Sequence, residues 1–231
     1  MATLPINLIS SLEEKYSRLW WSVEEERVYE EAMSDPFKAL VFTLLSQNTS
    51  SKNTHRAYLS LASRFNVDPW TLSRLDEGEL AEALRPGGLH RVKARRLKQL
   101  ARRVAVKLHG RLDALLSLPL DEARRRLKEL PGVGDKTADV LLSRIHGHRR
   151  AYVVDTHMRR LALRLGLVSE GASYRDVQEA LMSFIPWSEV PAEKHERLVG
   201  LLWLLAKHTC QARRPRCWEC PLRVICRKGK A

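Results

Sequence analysis

The sequence has few cysteines, and all of them lie near one end. Its 231 residues include four, and these fall between Cys210 and Cys226. A disulfide framework spreads its cysteines along a secreted chain, so this clustering favours metal or cluster ligands. Long apolar runs are also missing: the longest, 198–206, is interrupted by Gly200 and is too short to span a bilayer. Residues 1–12 contain neither a basic leader nor a cleavage site, so we expect no signal peptide and a cytoplasmic location.

Acidic residues are outnumbered by basic ones. The chain has 27 Asp and Glu against 40 Lys and Arg, a net charge of +13 with an isoelectric point near 10.0. Such an excess favours a polyanionic partner, nucleic acid first, over a basic surface that is merely soluble. At 44% hydrophobic and 29% charged residues, the chain can bury a core and is not disordered.

Strand patterns are almost absent. Only Tyr152-Val153-Val154 forms an extended apolar run, and no second run pairs with it, so the sequence predicts an all-α protein of roughly nine or ten helices. Asp35-Pro36 and Asp68-Pro69 are typical helix starts, with a capping carboxylate before a proline. A long helix is predicted from 92 to 108. Its outer face is expected to carry Arg91, Lys93, Arg95, Arg96, Lys98, Arg102 and Arg103.

Two predicted helices, 121–130 and 136–146, are joined by Pro131-Gly132-Val133-Gly134. Glycines let this turn approach a ligand closely, and the start of the second helix presents free N–H groups and the positive end of its dipole. The pattern indicates a phosphate-binding hairpin, and we assign a DNA contact to Thr137 as well. The alternative is a plain tight turn between helices; the basic composition favours binding.

Lys136 lies in the first turn of that second helix. The dipole disfavours a cation there, which favours the neutral amine that can attack carbon. The alternative is an ordinary phosphate-contacting lysine. Asp155 follows the apolar run and precedes Thr156 at another helix start. Its carboxylate could cap that helix, act as a base, or stabilise positive charge developing on a sugar ring. His157 is expected to be structural or hydrogen-bonding.

The cysteines Cys210, Cys217, Cys220 and Cys226 have the spacing C-x6-C-x2-C-x5-C. Four thiolates can hold either a [4Fe–4S] cluster or a zinc ion. Arginines surround them and could offset a cluster's charge, contact phosphates or keep the loop solvated. They are Arg213, Arg214, Arg216, Arg223 and Arg227.

Taken together, these segments resemble the endonuclease III family of helix-hairpin-helix DNA glycosylases. The resemblance covers most of the chain, through Pro36-Phe37 with Leu44-Leu45-Ser46, Gly88-Leu89, residues 130–136, residues 154–157 and the cysteine spacing. It implies a six-helix barrel over 29–148, containing the helix-hairpin-helix at about 121–146. It further implies a helical domain of 1–28 and 149–231 that carries a [4Fe–4S] cluster at 210–226, and a cleft between the domains that receives DNA.

The resemblance also implies an activity: a bifunctional glycosylase and AP lyase of base excision repair that removes oxidised pyrimidines. Lys136 matches the family's nucleophile, Asp155 its assisting carboxylate, and Gly132, Val133 and Gly134 its backbone-holding hairpin. Two loops of the family fill the gap left by the extruded base. Leu89 matches one, and Asn48 stands where a glutamine is usual in the other, with Gln47 just before it.

The implied partner is double-stranded DNA with damaged pyrimidines or abasic sites, bound by a monomer that is nucleoid-associated in a prokaryote and contacts no membrane. One alternative is a monofunctional mismatch glycosylase, although those relatives usually lack a lysine at position 136. The other is a non-catalytic, zinc-stabilised DNA-binding protein, which would give Lys136 and Asp155 no joint purpose.

Overall fold

A computed structural model describes residues 3–230; Met1, Ala2 and Ala231, which belong to the expected cluster domain, lie outside the described residues. Within that range every regular element is helical and no strand occurs, which confirms the all-α prediction. The chain divides into two compact units. One is Trp21–Ile145, and the other joins the residues up to Trp20 with those from His146 onward. No helix in the described range is long and apolar enough to cross a membrane.

The Trp21–Ile145 unit is a continuous stretch of chain. Its α-helices are α2 (Val23–Met33), α3 (Pro36–Leu45), α4 (Ser51–Ala62), α5 (Pro69–Arg74), α6 (Glu77–Leu84), α7 (His90–Lys107), α8 (Asp113–Leu116), α9 (Leu120–Leu127) and α10 (Asp135–His146), with a 3₁₀ turn at Arg85–Gly87. Helix α3 lies at its centre, and all its residues from Ala39 to Leu45 are buried.

Local sequence explains where several of these helices begin. Asp35 and Asp68 each accept two backbone N–H groups of the following turn, and a proline stands at the first helical position. This satisfies donors that have no partner inside the helix, and it fixes φ before the helix starts. Gly87 is required for a different reason. A Cβ there would lie 2.5 Å from the Cβ of Ala57, so the turn could not pack against α4.

The prediction for the outer face of α7 is wrong at Lys93. Its side chain is only 4% exposed, and Nζ donates to the carbonyl of Leu45, 2.7 Å away at the end of α3. A cation beside a helix C-terminus meets carbonyls that lack an intrahelical partner. Burial lowers the pKa of Lys93. In the helix predicted over 136–146, Ile145 is 53% exposed, so the buried side of that helix does not extend to its last turn.

The second unit has helices α1 (Ile6–Tyr16), α11 (Thr156–Leu165), α12 (Tyr174–Phe184) and α13 (His195–His208). Its 3₁₀ turns are Ser17–Leu19, Ala192–Lys194, Cys217–Glu219 and Lys228–Lys230. Helix α1 joins a core built from distant sequence: the Leu4 N–H donates to the Phe184 carbonyl at 2.8 Å, and the Tyr16 hydroxyl donates to Thr209 Oγ1 at 2.6 Å. Residues 152–155 belong to no helix or strand, and Asp155 itself has an extended backbone conformation.

Candidate active site

The hairpin between α9 and α10 presents backbone rather than side chains. Gly132 has φ of +79°, a region that favours glycine, and nothing within 4 Å would meet a Cβ on Gly134. Val133 is 7% exposed and anchors the turn, whereas both glycines are exposed. The Thr137 side chain is 5% exposed, so its N–H in the first turn of α10 is the group that can face a ligand. The turn therefore offers an open anion-binding surface.

An ion pair behind the hairpin fixes its two helices. Arg124 of α9 donates through Nε to Asp139 Oδ1 of α10 at 2.9 Å, and Asp139 is fully buried. Arg124 also donates through NH1 to the exposed Asp121 at 2.8 Å. A buried guanidinium and carboxylate each need the other, so α9 and α10 are held at one spacing.

Lys136 is exposed at the start of α10. Across residues 3–230, no hydrogen bond or ion pair engages its amine. The neighbouring acidic residue does not neutralise it, because Asp135 instead pairs with Lys128 at 2.5 Å. The amine is thus available to a ligand brought to the hairpin.

The loop after α3 is tied to the hairpin by Gln47. Its Nε2 donates to the Gly132 carbonyl at 3.1 Å, and its Oε1 accepts from Arg96 at 3.4 Å. Asn48 follows with φ of +54° and is exposed. The structure therefore separates the two amides: Gln47 is engaged within the protein, and Asn48 projects from a left-handed backbone.

Leu89 shares that backbone feature. It has φ of +53°, precedes α7 and is 54% exposed, a large apolar side chain left in solvent. Among the described residues, positive φ outside glycine occurs only at Asn48, Leu89 and His109. A left-handed non-glycine residue costs free energy, and such residues collect at functional positions.

Asp155 lies in the other unit, at the start of α11. It is the N-cap of that helix, the first of the roles that the sequence leaves open for its carboxylate, with Oδ1 accepting the Met158 N–H at 2.8 Å. Its Oδ2 accepts the indole N–H of Trp203 at 2.8 Å. Nearby, His157 Nδ1 faces Arg160 at 3.0 Å, and burial lowers the pKa of His157.

The four cysteines line one cavity between α11 and the C-terminal loop. Arg164 organises this loop: it donates to Cys210 Sγ at 3.3 Å and to the carbonyls of Cys210, Gln211 and Ala212. Arg160 adds a hydrogen bond to the Cys210 carbonyl at 2.8 Å. Neither arginine is singled out by the sequence, because each lies about fifty positions before the carbonyls it holds.

The donor set fits a cationic centre. Burial, together with repulsion from the thiolates of the other three cysteines, raises the pKa of the Cys220 thiol to about 11. An iron–sulfur cluster or metal ion between them would remove that repulsion. In the described residues, no three His, Cys, Asp or Glu side chains converge as ligands of a single metal ion. Arg213 and Arg214 are exposed beside the loop, whereas Arg216 pairs with Glu219 at 2.8 Å.

Comparison with known proteins identifies the class. Residues 41–187, more than half of the chain, match the family described as HhH-GPD superfamily base excision DNA repair protein. The chain thus has the fold and class of a base excision DNA glycosylase.

Comparison with individual relatives narrows the class to one family. Endonuclease III of Treponema pallidum (strain Nichols) is 36% identical over 84% of each chain. Endonuclease III of Bacillus subtilis (strain 168) is 32% identical over 85% of this chain and 83% of its own. A solved structure of a trapped endonuclease III–DNA covalent intermediate superposes with a TM-score of 0.72 at 26% identity, covering 97% of this chain and 94% of that one. The protein belongs to the endonuclease III family.

Proposed function

We propose that this glycosylase is bifunctional: it removes oxidised pyrimidines from duplex DNA and then cleaves the strand 3′ to the abasic site. The observation that carries the proposal is the amine of Lys136. It is exposed, has no partner in the described chain, and stands in the helix turn that follows the open Gly132–Gly134 hairpin. Once it has given up its proton, an amine without an intramolecular partner has a free electron pair with which to attack a nucleotide held at the neighbouring hairpin.

The chemistry begins with base extrusion, because a stacked nucleotide hides its C1′ atom. Lys136 Nζ forms a bond to C1′ while the bond from C1′ to the base breaks; that electron pair leaves with the base, which takes a proton. The Asp155 carboxylate stabilises the positive charge that develops on the sugar. The sugar ring then opens as O4′ takes a proton, leaving an imine between Lys136 and C1′.

Strand cleavage follows from the imine. When protonated, it draws electrons from C2′, whose proton becomes acidic. Loss of that proton forms a C2′–C3′ double bond, and the C3′–O bond breaks with its electron pair leaving on the phosphate. This β-elimination cuts the backbone on the 3′ side. Hydrolysis of the remaining imine releases Lys136.

The DNA contacts follow from backbone geometry. We assign the contacts with the DNA phosphate backbone to the groups at the open turn, which are Gly132, Val133, Gly134 and the Thr137 N–H. Leu89 and Asn48 are assigned to fill the gap that the extruded nucleotide leaves in the DNA base stack, since both are exposed and have left-handed backbone conformations. Gln47 is assigned to fixing the Asn48 loop, because both ends of its amide are already engaged.

Cys210, Cys217, Cys220 and Cys226 would hold a [4Fe–4S] cluster, one cysteine for each iron. When bound, the cluster supplies four covalent links that fold the loop. Arg164 would donate to the Cys210 sulfur, which suits a ligand bearing negative charge. Zinc would need all four sulfurs about 2.3 Å from one point, a closer approach than a cluster demands.

Borohydride trapping tests the Lys136 assignment. It reduces the imine to a stable amine, so wild-type protein should form a covalent adduct with duplexes containing an abasic site or an oxidised pyrimidine. Lys136→Ala should form none. A panel of lesions, each at saturating protein in a single turnover, ranks substrates by chemical rate rather than by affinity.

Arg125→Ala is the matched control, since it removes one exposed cation of α9 that pairs with Glu122 and Glu129, and it leaves Lys136 and the pair between Lys128 and Asp135 unchanged. We expect it to weaken binding at most and to retain adduct formation at saturation. An adduct of undiminished yield in Lys136→Ala would refute the nucleophile. Base release without strand cleavage by wild type would show a monofunctional enzyme instead.

Iron analysis tests the cofactor. Purified protein should be yellow-brown and contain four iron atoms per chain, the content of a [4Fe–4S] cluster. Cys226→Ala should lose iron and the associated visible absorption. A colourless, active protein with one zinc ion per chain would contradict the cluster assignment.

A further inference from the structure

Trp203 makes a hydrogen bond from the edge of the core to the carboxylate of Asp155. Helix α13 buries its apolar face through Leu201, Leu202, Leu204 and Leu205, whereas Trp203 lies at the edge of that core and is half-buried. A tryptophan at such an edge can leave its N–H in water. Here it points inward, and Nε1 donates to Asp155 Oδ2 at 2.8 Å.

Each oxygen of Asp155 therefore has its own fixed donor. Oδ1 accepts the Met158 N–H at 2.8 Å, and Oδ2 accepts the indole N–H of Trp203. Backbone and indole N–H groups donate only, so neither takes a proton from the carboxylate. Each oxygen keeps lone-pair capacity for a second partner. Two donors at fixed points also stop rotation of the carboxylate about its terminal torsion.

The segment that carries Asp155 is held independently of the helix cap. Gln178 of α12 donates to the Tyr152 carbonyl at 2.6 Å, and the Val154 N–H donates to the Tyr174 hydroxyl at 3.2 Å. These bonds place the Cα of Asp155 but leave its carboxylate free to turn. Of the described side chains, only that of Trp203 is seen to bond the second oxygen.

The indole ring is held in turn. The ammonium of Lys207, one turn further along α13, lies 4.5 Å from the ring centroid, and His157 packs edge-on at 5.9 Å. Arg160 fixes α11 to the end of α13 through the Ala206 carbonyl at 2.6 Å. The indole N–H is thus set in place before any substrate binds.

We propose that Trp203 is a positioning residue for base removal, which orients the second oxygen of Asp155 toward the sugar charge that Asp155 stabilises. The inference rests on the proposed function, because it needs Asp155 to assist the reaction. Trp203 touches neither base nor sugar and acts only through that carboxylate. An electrostatic group contributes most when its direction is set before the charge develops.

Trp203→Phe tests this, since it removes the N–H and keeps most of the ring. We expect single-turnover base release to slow about 10-fold at saturating enzyme, because small displacements of a catalytic group can cost up to about 100-fold. Affinity for an uncleavable lesion duplex should change less than about 2-fold, since ground-state binding does not involve this bond. Trp187→Phe is the matched control: it removes an indole hydrogen bond to the Met182 carbonyl in the same unit and should leave the rate unchanged.

A double-mutant cycle separates positioning from general damage. In an Asp155→Asn background, Trp203→Phe should cost less than about 2-fold, since the group it orients has been removed. A loss of about 10-fold in both backgrounds would overturn the positioning role, as would a normal rate in the single variant. If Asp155→Asn alone releases base at the wild-type rate, the role proposed for Asp155 is wrong. This single variant tests the proposed function separately from the role of Trp203.

Discussion

The ion pair behind the hairpin gives a sharp test of what holds the turn at Gly132–Gly134 in shape. In Asp139→Asn, the Arg124 guanidinium stays buried at 2.9 Å from a neutral amide. Removing one partner of a buried pair costs about 3–5 kcal/mol, because the buried guanidinium loses its buried counter-charge and keeps only the exposed carboxylate of Asp121. For a chain of this length, each kcal/mol lowers the melting temperature by about 2–4 °C. The expected fall is therefore about 6–20 °C.

Asp121→Asn is the matched control, since Asp121 bonds the same guanidinium at 2.8 Å but its side chain is 77% exposed. An exposed pair contributes at most about 1 kcal/mol. Thermal unfolding followed by circular dichroism, with urea unfolding as a second measure, compares the two variants. The double variant Arg124→Met/Asp139→Leu should recover most of the loss, since apolar residues of similar volume can replace a buried pair. If Asp139→Asn and Asp121→Asn unfold within 1 °C of each other, the buried bond is not what holds α9 to α10.

Two further predictions concern a loop and a helix contact. Asn48→Ala should change the ratio of base-release rates among duplexes that differ in the base opposite the lesion, since Asn48 is assigned to face that base. Gln47→Ala should slow base release from all of these duplexes by the same factor. If both variants slow all duplexes equally, the different roles assigned to Gln47 and Asn48 are wrong. Gly200→Ala should destabilise the unit that contains α13 by about 1–3 kcal/mol in urea unfolding, because the new Cβ would lie 2.3 Å from the Trp20 ring. Adding Trp20→Leu to Gly200→Ala should relieve part of that cost. If the free-energy losses of the two single variants simply add in the double variant, the clash has no effect.

Local signals in the sequence predicted most of the architecture. Asp35-Pro36 and Asp68-Pro69 start helices as expected, and the hairpin between α9 and α10 lies where the glycines place it. The count of nine or ten helices was short of the thirteen α-helices among residues 3–230, because α8 has only four residues, too few to show an amphipathic stripe. Elements that carry their own caps and periodicity were predictable from sequence alone.

Contacts between distant residues were not predictable in the same way. The bond from Trp203 to Asp155 joins positions 48 residues apart, and the bond from Gln47 to Gly132 joins positions 85 apart. Lys93 is an example: the periodicity of the sequence places it on a basic outer face, yet its side chain is buried at the end of α3. A charge pattern along one helix does not reveal which neighbouring helix ends beside it.

The division of the chain into two units implies an order in which they fold during synthesis. Trp21–Ile145 is continuous and can fold once it leaves the ribosome, whereas α1 needs partners such as Phe184 and Thr209. At 5–20 residues per second, translation from His146 to Cys226 takes roughly 4–16 s. Throughout that interval the apolar side of α1, with Leu12 and Tyr16, has nothing to pack on. Helix α1 is thus made before the Trp21–Ile145 unit but packed after it, and it is a segment that a nascent-chain chaperone would meet.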